Sequence, residues 1–254
     1  IGAMRTTKGT HAQATSLENS EHFFCNMASQ PNGYLYESGG IRFGMSTVSW
    51  FRDMLNDGRS DPTDIITDEQ LNVEATTLTV GSDGLITIPE FLAATDKPFQ
   101  RGCIIGLTAK HARAHLFRSI LESIGMTMFN NVTAMNESLG SSPTKIVVSG
   151  GGSKSDLLMQ IFADLFNTNV IRPSNSDAAG LGAAICAAVA LGLHDSFEVA
   201  QKQMVKFGRV FEPNPEHAVQ YQRLNHVYKS ATQHTDPLLS KLHAATQFTN
   251  TLKP

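Results

Sequence analysis

Cysteine is scarce in this sequence of 254 residues. The three present, Cys25, Cys103 and Cys186, are odd in number, far apart and never in CxxC spacing, which excludes a disulfide framework and the usual zinc sites. An excess of either charge is lacking too. Twenty Lys and Arg against twenty-three Asp and Glu leave a net charge of −3 without any long run of like charge, so the basic face of a nucleic-acid binder is missing. No apolar run is long enough to span a membrane; the longest, Leu181 to Leu193, is expected as a buried helix. No signal peptide is visible, which together with the cysteine usage points to a reducing cytoplasm, where the sequons at Asn131 and Asn136 stay idle. Internal repeats and low-complexity segments are absent as well. The opening Ile1-Gly2-Ala3-Met4 does not look like a natural start, so the chain reads as a fragment.

What is present is ordinary globular composition, 41% hydrophobic and 17% charged, enough for one α/β domain. Short strands are expected at 3–7, 21–27 and 34–37, with Gln30-Pro31-Asn32-Gly33 as a turn. Glycines at 39, 40 and 44 lead into a helix over 46–55 that carries the single tryptophan, Trp50. A polar loop spans 53–67, a second helix 68–79 and a strand 84–91. The loop 93–102 and a short apolar segment 103–107 follow. The longest helix is expected over 111–136, where Leu116, Ile120, Ile124 and Met128 recur at four-residue steps and Met126 and Met128 are core. Gly125 would cost this helix about 1 kcal/mol unless it permits close packing, and Leu139-Gly140-Ser141-Ser142-Pro143 ends it. Strand 145–149, helix 153–166, strand 170–172 and helix 177–191 then alternate as in a sheet covered by helices. The tail from Pro215 to Lys253 reads as helix broken at Pro237.

Chemistry concentrates at Ile146-Val147-Val148-Ser149-Gly150-Gly151-Gly152-Ser153-Lys154-Ser155. A buried strand runs through three glycines straight into a helix, where bare backbone and unpaired N–H groups can meet a ligand. It is not a P-loop, because Ser153 rather than Gly precedes Lys154. Nor is it a dinucleotide fingerprint, because position 155 is Ser. Taken alone, the segment reads equally well as a flexible turn.

A second segment adds to it. Gly102-Cys-Ile-Ile-Gly106-Leu107-Thr108 is followed, after six residues, by His115-Leu116-Phe117-Arg118-Ser119-Ile120-Leu121-Glu122. This resembles the second signature of the FGGY carbohydrate kinases. Ser149 to Asp164 is similar to that family's adenosine segment, Gly180-Leu181-Gly182-Ala183-Ala184 to its following helix, and Gly39-Gly40 with Ser49 to Asp53 also fits. The similarity runs from about residue 20 to 230, in family order.

The resemblance implies an α/β domain of the ribonuclease-H-like kind shared by actin, Hsp70 and sugar kinases, a mixed central sheet flanked by helices. It implies a second, ATP-binding domain over 1–254, with the N-terminal sugar-binding domain outside the chain. By motif position Gly151 and Ser155 would touch adenine and ribose, with Gly150 and Gly152 shaping the turn. Gly106 and Thr108 would lie near the terminal phosphates, and Gly2 would be the last glycine of a phosphate loop. The reaction implied is transfer of the γ-phosphoryl of Mg2+-bound ATP to a sugar or polyol hydroxyl. The family's catalytic aspartate lies before Ile1, so the chain alone is expected to be inactive. The loop Glu90 to Phe99 departs from the family by lacking its Arg and neighbouring Pro. A catalytically dead nucleotide-binding or regulatory module and another actin-like ATPase therefore stay open as alternatives. The acceptor is not legible, with a lean toward gluconate or xylulose, and a homodimer is open.

Several residues have plainer readings. His111 and His115, spaced i, i+4, fit orientation of the Gly106-Leu107-Thr108 turn better than a metal site. Arg118 and Glu122 are expected as a structural pair, Lys154 as a solvated side chain, Cys186 as a small packed residue and Asp177 as a helix cap.

Overall fold

The computed structural model describes residues 2–5, 9–14, 24–27, 34–37, 41, 43–140 and 145–247. The turn expected at 30–33 and the glycines at 39 and 40 lie outside them. Strands β1 (Gly2–Arg5), β2 (Gly9–Ala14), β3 (Phe24–Met27) and β4 (Tyr34–Glu37) pair antiparallel with one another. Parallel pairing of β1 with β7 (Ile146–Ser149), and of β7 with β8 (Val170–Pro173), extends the sheet, which β9 (Phe207–Phe211) closes antiparallel. The order is β3-β4-β2-β1-β7-β8-β9. A separate ribbon joins β5 (Ile86–Ile88) to β6 (Cys103–Ile105).

Helices α1 (Gly44–Asn56), α2 (Asp68–Thr76), α3 (Arg113–Leu139) and α4 (Asp156–Phe166) supply most of the core. α3 touches β2 and β5, and α4 touches β8 and β9, so the two lie side by side on the sheet. The stripe of α3 is fully buried at Phe117, Ile120, Leu121, Ile124 and Met128. Gly125 faces α4: a Cβ there would lie 2.7 Å from Leu165 Cδ1 and 2.9 Å from Ile161 Cγ2. Close packing is thus the return on its poor helix propensity. Gly140, at φ +61°, ends α3 in the left-handed conformation that favours glycine.

Burying α3 also buries charge. Arg118 Nε donates to Glu122 Oε1 at 2.9 Å, and Arg118 Nη1 to the Ala75 carbonyl at 3.0 Å. Glu122 further accepts from Gly81 N, Ser82 Oγ and the Tyr221 hydroxyl at 2.9–3.0 Å. Burial pushes the Glu122 carboxyl up, while Arg118 and the donors of Gly81 and Ser82 pull it back. Burial and this carboxylate hold the Tyr221 phenol well above its ordinary value, so it stays protonated and donates. The same carboxylate pins the turn 81–84, where all four residues have positive φ.

Six elements differ from the sequence reading. β2 forms in the polar stretch Gly-Thr-His-Ala-Gln-Ala because β1 and β4 offer it a hydrogen-bond ladder on each side. α6 (Phe197–Met204) and β9 are likewise made by their neighbours, α5 (Ala178–Ala190) and β8. α5 is not the buried helix expected: among its residues only Ala188 is buried, and Cys186 is exposed. It packs against α6, and apolar composition says nothing about which element covers a helix. α4 starts at Asp156 rather than 153, because 151–154 form a 3-10 turn. α7 (Pro215–Gln247) runs through Pro237 unbroken. Contacts on both sides, Tyr228 and Leu239 being buried, offset the hydrogen bond the proline cannot make.

Replacing Gly125 by Val should lower unfolding stability by about 2–3 kcal/mol through overpacking against Ile161 and Leu165. Gly125→Ala should cost less, since about 1 kcal/mol of helix propensity offsets the clash. Denaturant titration of both variants checks the order.

Candidate functional site

The β7–α4 connection is built by three glycines with three different reasons for being there. Gly150 sits at φ +90°, where a side chain is strained. Its N–H bonds the Ser176 carbonyl at 2.8 Å, and its own carbonyl accepts from Ser153 N and Oγ at 3.1 and 2.7 Å. Gly152 is buried. Gly151 is exposed at an ordinary φ, and a Cβ built on it would meet nothing within 4 Å. Nothing in the fold requires glycine at 151.

Ser155 then caps α4, its hydroxyl accepting from Leu158 N at 3.1 Å. Its proton goes to Asn72 Oδ1 on α2. Asn72 in turn donates to the Asp68 carbonyl at 2.7 Å. The turn, α2 and α3 surround a cavity of about 540 Å3. Its apolar wall is Met45 and Val48 of α1, Val73 of α2, Phe117 and Leu121 of α3, and Leu157 of α4. The polar rim includes Asp68, Glu69, Asn72, Lys154, Ser155 and Asp156, with the exposed Gly151 beside them. Lys154 is exposed, as expected.

The structure brings Gly151 and Ser155 to one cavity and places Gly150 and Gly152 in the turn beneath it. Gly106 and Thr108 do not line it. Gly106, at φ +96°, has a packing reason for lacking a Cβ, which would lie 2.3 Å from the Gly84 carbonyl oxygen. Thr108 N donates to His111 Nδ1 at 2.9 Å, leaving Nε2 to carry the proton toward the Asp83 carbonyl at 3.3 Å. His115 Nδ1 accepts from Ala112 N at 3.0 Å, and its Nε2 lies 3.3 Å from Asp83 Oδ2. The Thr79 hydroxyl and His115 hold the Asp83 carboxyl below its usual range. His111 therefore ties the 106–108 turn to Asp83, whereas His115 bonds Ala112 N and Asp83 and does not contact that turn. Gly2 opens β1 opposite Ile146, at the far end of β7 from the glycine turn. Asp177 caps α5 through Gly180 N at 2.9 Å. In the divergent loop, Phe91 stacks on Trp50 at 4.9 Å between ring centroids.

Sequence reasoning missed the α2 wall. Asp68, Asn72 and Thr76 recur at four-residue steps on one helical face, yet no local signal says that this face meets α4.

A mixed seven-stranded sheet joining an antiparallel N-terminal half to a βαβ half, with helices packed on it, defines a ribonuclease-H-like domain of the sugar-kinase type. The chain belongs to the FGGY family of carbohydrate kinases, whose C-terminal domain matches residues 6–191. It is 40% identical over 221 residues to the uncharacterized sugar kinase YgcE of Escherichia coli K12, covering 85% of this chain and 44% of that protein. It is 28% identical over 225 residues to a xylulose kinase of Lactococcus lactis, covering 87% and 43%. In structure it is similar to the xylulose kinase of Rhodospirillum rubrum, with a TM-score of 0.77 at 23% identity over 94% of this chain and 48% of that one. The chain spans about half the length of the relatives it matches.

Ser155→Ala should cost about 1–2 kcal/mol, from the lost α4 cap and the unpaired Asn72 oxygen. Faster hydrogen exchange at the first amides of α4, with the α3 core unchanged, would locate the loss.

Proposed function

We propose that this chain is the ATP-binding domain of a cytoplasmic carbohydrate kinase that transfers the γ-phosphoryl of ATP to a sugar or polyol hydroxyl. The observation that carries the reading is Gly151, a family motif position whose missing side chain no contact among the described residues explains. It lines a cavity of about 540 Å3, within the usual range for small-molecule sites.

The chemistry of the walls suits a nucleoside. A flat base fits between the apolar helix faces and lies against the backbone at Gly151, while Ser155 and Asn72 supply hydrogen-bonding groups. The carboxylates of Asp68 and Glu69 repel phosphate, so the triphosphate leaves the cavity away from the start of α2. Gly106, Thr108 and Gly2 are the residues we assign to the phosphate side. Mg2+ would come with the phosphates and neutralise their charge during transfer. Residues of this chain bind and orient the nucleotide. The carboxylate that accepts the hydroxyl proton belongs to the sugar-binding domain, a separate part of the kinase.

Isothermal titration should show Mg-ATP binding to this chain. Gly151→Leu should weaken it at least tenfold while stability changes by no more than about 0.5 kcal/mol, since the new side chain enters open space. Equal binding by the variant, or none by the parent, would sink the reading.

A coupled assay with gluconate, xylulose and glycerol should show no turnover by the chain alone. Turnover that survives repurification would place the proton acceptor within these residues.

A further inference from the structure

Ser155 has almost nothing left to offer a ligand. A serine hydroxyl has one proton and two lone pairs. Here the proton is given to Asn72 Oδ1 and one lone pair accepts from Leu158 N. One acceptor position remains, which a ribose hydroxyl can fill and an acceptor ring nitrogen of a base cannot.

Asn72 keeps more in reserve. Its orientation is fixed, because the Asp68 carbonyl can only accept from Nδ2 and the Ser155 proton can only go to Oδ1. Each contact uses half of what the amide has. One N–H and one oxygen lone pair remain on a half-buried side chain that lines the cavity. A donor beside an acceptor on one amide is the complement of adenine, which shows an amino group next to a ring nitrogen. Guanine shows two acceptors at the corresponding edge.

We propose that Asn72 is the specificity-determining residue of this cavity, reading the base as adenine, while Ser155 accepts a hydrogen bond from the ribose. This rests on the nucleotide reading of the site. The alternative role for Asn72 is to hold the α4 cap through Ser155. Asn72→Asp separates the two, because it keeps the oxygen that takes the Ser155 proton and loses the N–H.

The experiment is titration of the chain with Mg-ATP and Mg-GTP, for the parent, Asn72→Ala and Asn72→Asp, with a thermal melt of each. The parent should favour ATP by about tenfold or more, the scale of one good amide–base pair. Both variants should lose most of that preference by weakening ATP rather than strengthening GTP, and Asn72→Asp should do so while melting close to the parent. An ATP-to-GTP ratio unchanged in both variants would overturn the role of Asn72 and leave the nucleotide reading standing. A parent that binds neither nucleotide would overturn both.

Discussion

The close approach of α3 and α4 at Gly125 sets the position of most of the molecule. Without a Cβ at 125, Ile161 and Leu165 rest directly on the α3 backbone, so the start of α4 is held at a fixed height above the sheet. At that height Ser155 reaches Asn72 across the gap to α2. α2 is fastened to α3 in its turn, by Arg118 at the Ala75 carbonyl and by Arg113 at Glu74, 2.9 Å from Nε to Oε2. The cavity is the space left among α1, α2, α3 and α4, and the α3–α4 approach is set at Gly125, some distance from it.

Much of the fold could be read from local signals. The apolar stripe of α3, the left-handed glycine that ends it and the strand-glycine-helix run after β7 each leave a mark within a few residues, and each is found where expected. The missed elements leave no such mark. Nothing in Gly9 to Ala14 asks to be a strand until β1 and β4 stand on either side. Pro237 reads as a break until both halves of α7 are seen to be anchored. The apolar run of α5 reads as buried because hydropathy reports a preference for being covered, not the presence of a cover.

The candidate site divides along the same line. Motif positions identify its backbone, and three glycines that look alike in sequence turn out to differ: Gly150 is required by its φ, Gly106 by the Gly84 carbonyl, and Gly151 by nothing among the described residues. Only the last marks a surface kept clear. The side chains facing it across the cavity come from α2, whose four-residue spacing was visible but whose neighbour was not.

The network around Glu122 bears on where this domain ends. The family model ends at residue 191, whereas similarity to the Rhodospirillum rubrum structure covers 94% of the chain; α7 lies beyond residue 191, and its Tyr221 is completely enclosed. Its residues complete three polar pairings begun elsewhere: Tyr221 with Glu122, Asn225 with Asn130, and His217 with the buried carboxylate of Asp164. The border of the family model is therefore not the border of the folding unit. The matched segment 6–191 carries the glycine turn and its cavity, but the smallest piece able to unfold as one reaches through α7, because that helix satisfies polar groups buried within the segment.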